Sequence, residues 1–115
     1  MEFTYEPKDI WIPYQKPPSK YKPDFVLSNG IIIETKGLFD SADRTKHKLI
    51  KNQNPNLDIR FVFSNSRNRI SKKSKTTYAM WCEKNKFLYA DRSVPSSWIK
   101  EEKNLLRINA LRKHK

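Results

Sequence analysis

The apolar and polar positions between residues 23 and 36 predict a β-hairpin, around which the rest of the chain is organised. Two short apolar runs, 25–27 and 31–33, stand on either side of Asn29-Gly30. An Asn-Gly pair between two apolar runs is a strong signal for a hairpin turn, because both residues tolerate the positive φ angles that tight turns need. The pattern therefore predicts two antiparallel strands joined by a short loop.

Charged side chains stand at the ends of these two predicted strands. Asp24 opens the first strand, and Glu34 and Lys36 close the second. Residues two positions apart on a strand point to the same face, so Glu34 and Lys36 share a face and Thr35 points away from it. The sequence thus places an acid and a base side by side at the end of an apolar strand.

The length of the loop decides whether Asp24 joins them. A two-residue loop would pair Asp24 with Thr35, on the wrong face, whereas the three-residue loop 28–30 would pair Asp24 with Glu34, with Gly30 in the left-handed conformation. Directly opposed Cβ atoms lie about 4.5–5.5 Å apart, where two carboxylates repel each other unless a cation lies between them. We therefore expect the three-residue loop and a divalent cation. The alternative is a turn-flanking Asp24 beside a solvent-exposed ion pair of Glu34 and Lys36.

The rest of the pattern predicts an α/β chain of order β-(ββ)-α-β-α-β-α, with a mixed sheet flanked by helices. The predicted segments are a first strand over 1–12, a proline-rich connector over 13–23, a helix over 44–52 after candidate caps at 40–43, a strand over 57–63, a helix from Thr77 to about Asn85, a strand over 87–90, a helical turn from Pro95 and a basic, amphipathic tail over 104–115. The connector is stiff and extended, so the first strand is expected to pair with a second copy of the chain.

Length and charge add a partner to this picture. The 115 residues are expected to form a single domain over 1–115. Lys and Arg number 24 against 12 acids, and the net charge of +12 favours a polyanion such as nucleic acid. The basic loop 64–75 contains no acid. The positions expected to contact DNA phosphates are Lys22, Arg44, Lys46, Lys48, Arg67, Arg69, Lys72 and Lys73.

Cysteine content and hydropathy exclude several classes of protein. The single cysteine, Cys82, excludes an internal disulfide and a cysteine-based zinc site, and it lies on an apolar stripe with Tyr78 and Trp81, as a core residue would. No run approaches the ~20 apolar residues of a membrane helix, and the first ten residues do not resemble a signal peptide. We therefore expect a cytoplasmic protein. His47 is expected to be structural or to contact phosphate, and not to bind a metal.

The three charged residues of the hairpin suit phosphodiester hydrolysis, which needs a bound cation, an activated water and positive charge near the transition state. Mg²⁺ prefers hard oxygen ligands and takes one or two carboxylates. Asp24, Glu34 and the main-chain carbonyl of Thr35 are the candidate ligands, with Mn²⁺ as a substitute for Mg²⁺. Lys36 is the candidate to orient or deprotonate the attacking water, or to offset developing charge.

Pro23-Asp24, nine further residues and Glu34-Thr35-Lys36 form the PD-(D/E)-x-K nuclease signature. The chain also resembles the phage endonuclease I family of Holliday-junction resolvases, from Phe3 to about Glu101. The residues that carry this resemblance include Tyr21-Lys22-Pro23-Asp24-Phe25, Asn29-Gly30-Ile31, Glu34-Thr35-Lys36-Gly37-Leu38, Asp43-Arg44, His47, Asp58-Ile59-Arg60, Val62-Phe63-Ser64, Cys82-Glu83-Lys84 and Trp98-Ile99-Lys100.

The resemblance implies a restriction-endonuclease-like fold and a magnesium-dependent enzyme that recognises branched DNA by its shape and cuts it symmetrically. It also implies an intertwined homodimer in which each subunit donates its N-terminal arm. By that similarity, Asp24 and Glu34 bind metal and Lys36 is catalytic.

One feature implied by the resemblance has no counterpart in this sequence. The family carries an N-terminal helix before the first strand, with a further catalytic acid, and no residue here matches it. A truncated form, an acid from another polypeptide and a weak or inactive enzyme are all compatible with that difference. Two rival functions therefore stay open, a branched-DNA-binding protein without catalysis and a nuclease of the same fold with a different duplex target.

Overall fold

The computed structural model describes residues 12–13 and 20–113. Six strands occur in these ranges: β1 (Ile12–Pro13), β2 (Lys20–Tyr21), β3 (Phe25–Val26), β4 (Ile32–Lys36), β5 (Ile59–Phe63) and β6 (Tyr89–Asp91). Four helices occur in the same ranges: α1 (Ser41–Gln53), α2 (Tyr78–Lys84), α3 (Ser96–Ile99) and α4 (Leu105–Arg112). The order agrees with the predicted alternation of strands and helices, with β2 added and the predicted amphipathic tail present as α4.

The main sheet has the strand order β3-β4-β5-β6. Strand β4 pairs antiparallel with β3 and parallel with β5, and β5 pairs parallel with β6. Every residue of β5 is buried, as the apolar end of the predicted strand indicated for a central position. The prediction of an α/β fold with a mixed sheet is confirmed.

Candidate caps named from the sequence start α1 and α2, although α1 begins at Ser41, three residues before its predicted start. The carboxylate of Asp40 accepts a hydrogen bond from the main-chain N–H of Asp43 and begins α1, and Thr77 accepts one from Met80 and begins α2. Capping of this kind satisfies main-chain donors that have no partner within the helix. In the described ranges, every helix is too short or too polar to cross a membrane.

The sheet separates two apolar clusters. One cluster joins α1 and α2 to the sheet through residues such as Ile50, Trp81, Phe61 and Phe63. The other cluster lies around Ile33, Val62 and Trp98, and it includes α3. Alternate residues of β4 and β5 pack into one cluster or the other, because successive side chains of a strand point to opposite faces.

The prediction that 13–23 is an extended connector without an element is wrong at its second half. Ile12–Pro13 and Lys20–Tyr21 form a short antiparallel ladder, with Ile12 opposite Tyr21, so the chain reverses between them. Both Ile12 and Tyr21 are buried in the larger apolar cluster, and this burial favours the reversal over an extended path. Residues 1–11, which hold most of the predicted first strand, lie outside the described residues.

The amphipathic tail predicted over 104–115 forms a helix, α4, but two of its leucines face solvent. Leu105 and Leu106 are 73% and 66% exposed, whereas Arg107 and Leu111 are buried. Arg107 forms ion pairs with Asp58 and with Glu101, which precedes the helix. The helix therefore turns a charged residue inward, where these partly exposed carboxylates and the main-chain carbonyl of Asn29 accept its hydrogen bonds.

Candidate active site

The hairpin has the three-residue loop that the sequence predicted. Phe25 pairs with Ile33 and Val26 with Ile32, so the loop is 28–30. Gly30 has a φ of +94°, and the N–H of Leu27 donates to the carbonyl of Ile31 at 2.8 Å. The prediction of a left-handed Gly30 is confirmed, and the same register continued by one residue sets Asp24 opposite Glu34.

Hydrogen bonds hold Asp24 and Glu34 against each other. The main-chain N–H of Asp24 donates to Oε1 of Glu34 at 3.2 Å. Oδ2 of Asp24 accepts from the main-chain N–H and the hydroxyl of Thr35, at 3.0 and 3.2 Å. The two acids are therefore brought together at the end of the hairpin, as the register requires.

The alternative of a solvent-exposed Glu34–Lys36 ion pair is wrong. Glu34 is only 3% exposed, and the ammonium of Lys36 pairs with Oδ1 of Asp43 at 3.4 Å. Asp43 lies in the first turn of α1, so this ion pair joins the helix to the end of β4. The sequence identified Asp43 only as a candidate cap, because nothing local shows that α1 begins beside Lys36.

Tyr21 is a residue of the site that sequence reasoning missed. Its buried hydroxyl donates a short hydrogen bond to Oε1 of Glu34. Its ring meets the edge of His47 at a centroid distance of 5.2 Å, and Nζ of Lys46 lies 5.3 Å from the ring centroid. The only sequence signal for Tyr21 was its place in the segment that carries the family resemblance.

Burial governs the ionisation of this group of residues. Burial raises the pKa of Glu34 to about 7, and the nearby charge of Asp24 also raises it, while the hydrogen bond from Tyr21 and the charge of Lys36 oppose this rise. Burial and the neighbouring Glu34 raise the pKa of Tyr21 well above its ordinary value, so the phenol keeps its proton and remains a donor.

An open cleft of about 270 Å³ lies at the carboxyl ends of β4 and β5. Lys36, Gly37, Ser64 and Arg92 are among the residues that line it. Arg92 has a φ of +70°, which is costly for a side chain other than glycine, and its N–H donates to the carbonyl of Phe63. Sequence reasoning did not select Arg92, because its position at this edge depends on the sheet order.

The oxygen donors of the hairpin fit a hard divalent cation. In the described ranges no cluster of three or more His, Cys, Asp or Glu side chains is suitable for a metal. Mg²⁺ is commonly held by one or two carboxylates, with water and phosphate oxygens completing its shell. Asp24 and Glu34 supply such a pair across the hairpin, and the charge of a cation would offset their mutual repulsion.

The predicted DNA-contacting residues differ in their surroundings. Side chains at the surface are Lys22, Lys48, Arg67, Arg69, Lys72 and Lys73. The loop 64–75 leaves β5 beside Lys36, since the N–H of Ser64 donates to the carbonyl of Lys36 at 3.1 Å. Lys46 is half-buried, and the guanidinium of Arg44 donates to the carbonyl of Phe39 at 2.6 Å and to that of Ile70 at 3.5 Å. Arg44 therefore ties the basic loop to the segment that follows β4.

His47 and Cys82 are both core residues. His47 is fully buried against Tyr21 and Phe61, so it cannot contact phosphate, and the structural part of its prediction holds. Burial lowers the pKa of His47 to about 3, which keeps the imidazole neutral. Cys82 is buried on the inward face of α2 with Tyr78 and Trp81, as predicted.

Comparison with known proteins places this geometry in a family. The model of the family described as phage endonuclease I matches residues 1–115. Endodeoxyribonuclease 1 of Enterobacteria phage T3 is 54% identical over 106 residues, which are 90% of this chain and 68% of that protein. Endonuclease I of Escherichia phage T7 is 47% identical over 115 residues, which are 98% of this chain and 76% of that protein. The chain belongs to the phage endonuclease I family.

Proposed function

We propose that this endonuclease is metal-dependent and selects DNA by structure, cleaving four-way (Holliday) junctions and other branched DNA. The observation that carries the proposal is the pairing of Asp24 with Glu34 across the hairpin. Lys36 lies on the same strand as Glu34 and lines the open cleft. The basic loop 64–75 begins at the same end of the sheet. A cation bound by Asp24 and Glu34 would thus lie at the same end of the sheet as the basic loop 64–75, which we propose binds phosphates.

Each residue of the hairpin has a distinct part in this chemistry. Asp24, Glu34 and the main-chain carbonyl of Thr35 would hold Mg²⁺, or Mn²⁺ in its place. A cation held there would supply Lewis acidity and would lower the pKa of a water molecule. Lys36, held at the end of β4 by Asp43, orients the attacking water, receives its proton or balances the negative charge of the pentavalent phosphate.

The substrate is proposed from charge and symmetry. The net charge of +12 and the exposed arginines and lysines of the loop 64–75 suit a surface that follows phosphate backbones. A four-way junction has two-fold symmetry, and a two-fold homodimer presents two equivalent sites to it. We therefore propose a homodimer, and we propose from the family resemblance that its subunits exchange their N-terminal strands. A sedimentation experiment that finds a monomer at micromolar concentration would contradict it.

Cellular location follows from the substrate. An endonuclease encoded by a phage meets branched DNA in the cytoplasm of the infected cell, and we propose that location for this chain. Imaging or fractionation of infected cells tests this directly.

The decisive experiment is cleavage of a synthetic four-way junction with and without Mg²⁺. We expect cleavage only with the cation, and we expect Lys36→Ala to lose at least about 100-fold in rate while it still binds the junction. Lys84→Ala, at the far end of α2, is the matched control and should keep the wild-type rate. Tight junction binding without cleavage would favour the non-catalytic rival. Equal competition by plain duplex would defeat the selectivity for branched DNA.

A further inference from the structure

Glu34 has two carboxylate oxygens, and the described residues use them unequally. Oε1 accepts the hydroxyl proton of Tyr21 and the main-chain N–H of Asp24. A carboxylate oxygen has two lone pairs directed towards donors, so these two hydrogen bonds occupy Oε1. The remaining oxygen, Oε2, receives no hydrogen bond from the part of the chain that the structure describes.

The Tyr21 hydroxyl is itself held in a fixed place. The residue is 1% exposed, lies in β2, and pairs with Ile12 across the two-stranded ladder. Its ring is fixed on the other side by the edge of His47 from α1. The hydroxyl therefore cannot move away from Glu34 without displacing buried groups, and the carboxylate plane of Glu34 is fixed with it.

We propose that Tyr21 is a positioning residue, which holds Glu34 by Oε1 so that only Oε2 is presented to the divalent cation. Glu34 then binds the cation through one oxygen. The partners of metal-binding carboxylates act in this way in many proteins, and their removal commonly weakens metal binding 10- to 100-fold. This inference rests on the proposed function, because it needs a cation at Asp24 and Glu34.

Tyr21→Phe is the direct test, because it removes the hydroxyl and keeps the ring. Mn²⁺ binding to the protein without DNA is measured by electron paramagnetic resonance. We expect the dissociation constant of Tyr21→Phe to rise about 10- to 100-fold. Wild-type affinity in this variant would overturn the inference. Circular dichroism and the melting temperature check that the variant is folded when Mn²⁺ is added.

Two other tyrosines provide matched controls. Tyr78→Phe removes a buried hydroxyl that accepts the N–H of Phe39 at 3.2 Å, away from Glu34. Tyr89→Phe removes a tyrosine–glutamate hydrogen bond of the same chemistry at the surface, to Glu83 at 2.9 Å. We expect both to bind Mn²⁺ within about two-fold of the wild-type protein, even if Tyr78→Phe melts at a lower temperature. If both controls lost as much Mn²⁺ affinity as Tyr21→Phe, the cause would be a general effect on stability, and the positioning role of Tyr21 would be overturned.

Asp24→Asn separates this inference from the proposed function. If the wild-type protein binds Mn²⁺ and Asp24→Asn does not, the cation site stands, and the result with Tyr21→Phe decides the inference alone. If Asp24→Asn binds as well as the wild-type protein, the proposed cation site fails and the role of Tyr21 fails with it.

A second measurement uses the wild-type protein and does not depend on how a variant folds. Glutamate labelled with ¹³C at its carboxylate separates the six glutamates from the aspartates in the infrared spectrum. The difference spectrum with and without Mn²⁺ then reports only the glutamates that respond to the cation. Coordination by one oxygen widens the separation of the two carboxylate bands, whereas coordination by both oxygens narrows it. We expect widening, and narrowing would overturn the inference.

Discussion

His47 shows what burial does to a single polar residue. Both of its ring nitrogens lie in the core without a hydrogen-bond partner among the described residues. A buried polar atom without a partner costs about 1–3 kcal/mol. The charges of Lys36 and Lys46, together with burial, disfavour a protonated ring. His47 is therefore held neutral between two aromatic rings, where an apolar side chain of similar size would serve packing as well.

Replacing His47 changes how stability depends on pH. The folded pKa of about 3 lies below the ordinary 6.5, so the unfolded chain takes up the proton first as the pH falls. The stability from neutral His47 is complete above pH 6.5, and about 3 kcal/mol of it is lost by pH 4.5. We expect His47→Leu to remove this loss of folding stability. Urea denaturation above pH 6.5 and at about pH 4.5 measures it. His114→Ala, at the chain's other histidine, is the control, and an unchanged acid dependence in His47→Leu would contradict the assignment.

Individual residues of the site differ in how well the sequence predicted them. The relative positions of Asp24, Glu34 and Lys36 were predictable, because strand alternation and the length of one loop fix them. Tyr21 was not, because it lies in the proline-rich segment 13–23, for which the sequence predicted an extended connector without a role in the site. The burial of His47 depends on which face of α1 meets the sheet, and α1 is too basic for its apolar residues to define that face.

Among the elements, the hairpin depends most on the end of the chain. Nδ2 of Asn29 donates to the carbonyls of Trp98 and Glu101, at 2.8 and 3.0 Å. Nε of Arg107 in turn donates to the carbonyl of Asn29 at 2.9 Å. The turn that sets the register of Asp24 and Glu34 is thus held by α3, α4 and the segment between them. The sequence predicted the turn and both helices, but no local pattern could predict their contact.

The turn has little room for a larger residue. A Cβ added at Gly30 would lie 2.8 Å from Cγ1 of Ile108 and 3.1 Å from Cγ of Arg107, and the φ of +94° is itself strained for other residues. We expect Gly30→Ala to destabilise the fold by about 2 kcal/mol or more and to lower cleavage activity, because α4 must shift. Gly37→Ala is the control, since its nearest neighbour would be 3.7 Å away. Chemical denaturation measures the free energy of unfolding of both variants. A smaller loss in Gly30→Ala than in Gly37→Ala would contradict this prediction.

Across the whole molecule, basic charge is distributed over both edges of the sheet. The loop 64–75 extends from the carboxyl ends of the parallel strands, near Lys36. Lys84 and Lys86 lie at the opposite edge, where they line a small cavity with Phe87. Net charge alone cannot show which edge meets DNA, whereas the position of the acids predicts that the loop does.

The salt dependence of junction binding distinguishes the two edges. The slope of log K against log salt falls by about 1 for each phosphate that the protein no longer binds. We expect Lys72→Ser/Lys73→Ser to weaken binding and to reduce the slope by about 1–2, measured by fluorescence anisotropy from about 50 to 200 mM salt. Lys84→Ser/Lys86→Asn removes the same charge at the other edge, and Asn tolerates the positive φ of Lys86. Equal slopes for the two pairs would show that the loop has no special part in binding.

The hydrogen bond from Arg107 to the carbonyl of Asn29 affects the order in which parts of the chain become fixed during synthesis. The two residues are 78 positions apart, so the acids of the hairpin leave the ribosome long before the residues that support its turn. Contacts so distant in sequence form late, because the loop between their ends must close first. A growing chain therefore carries the acids without their complete support. The turn of the hairpin gains this support only after α4 has been made and can dock.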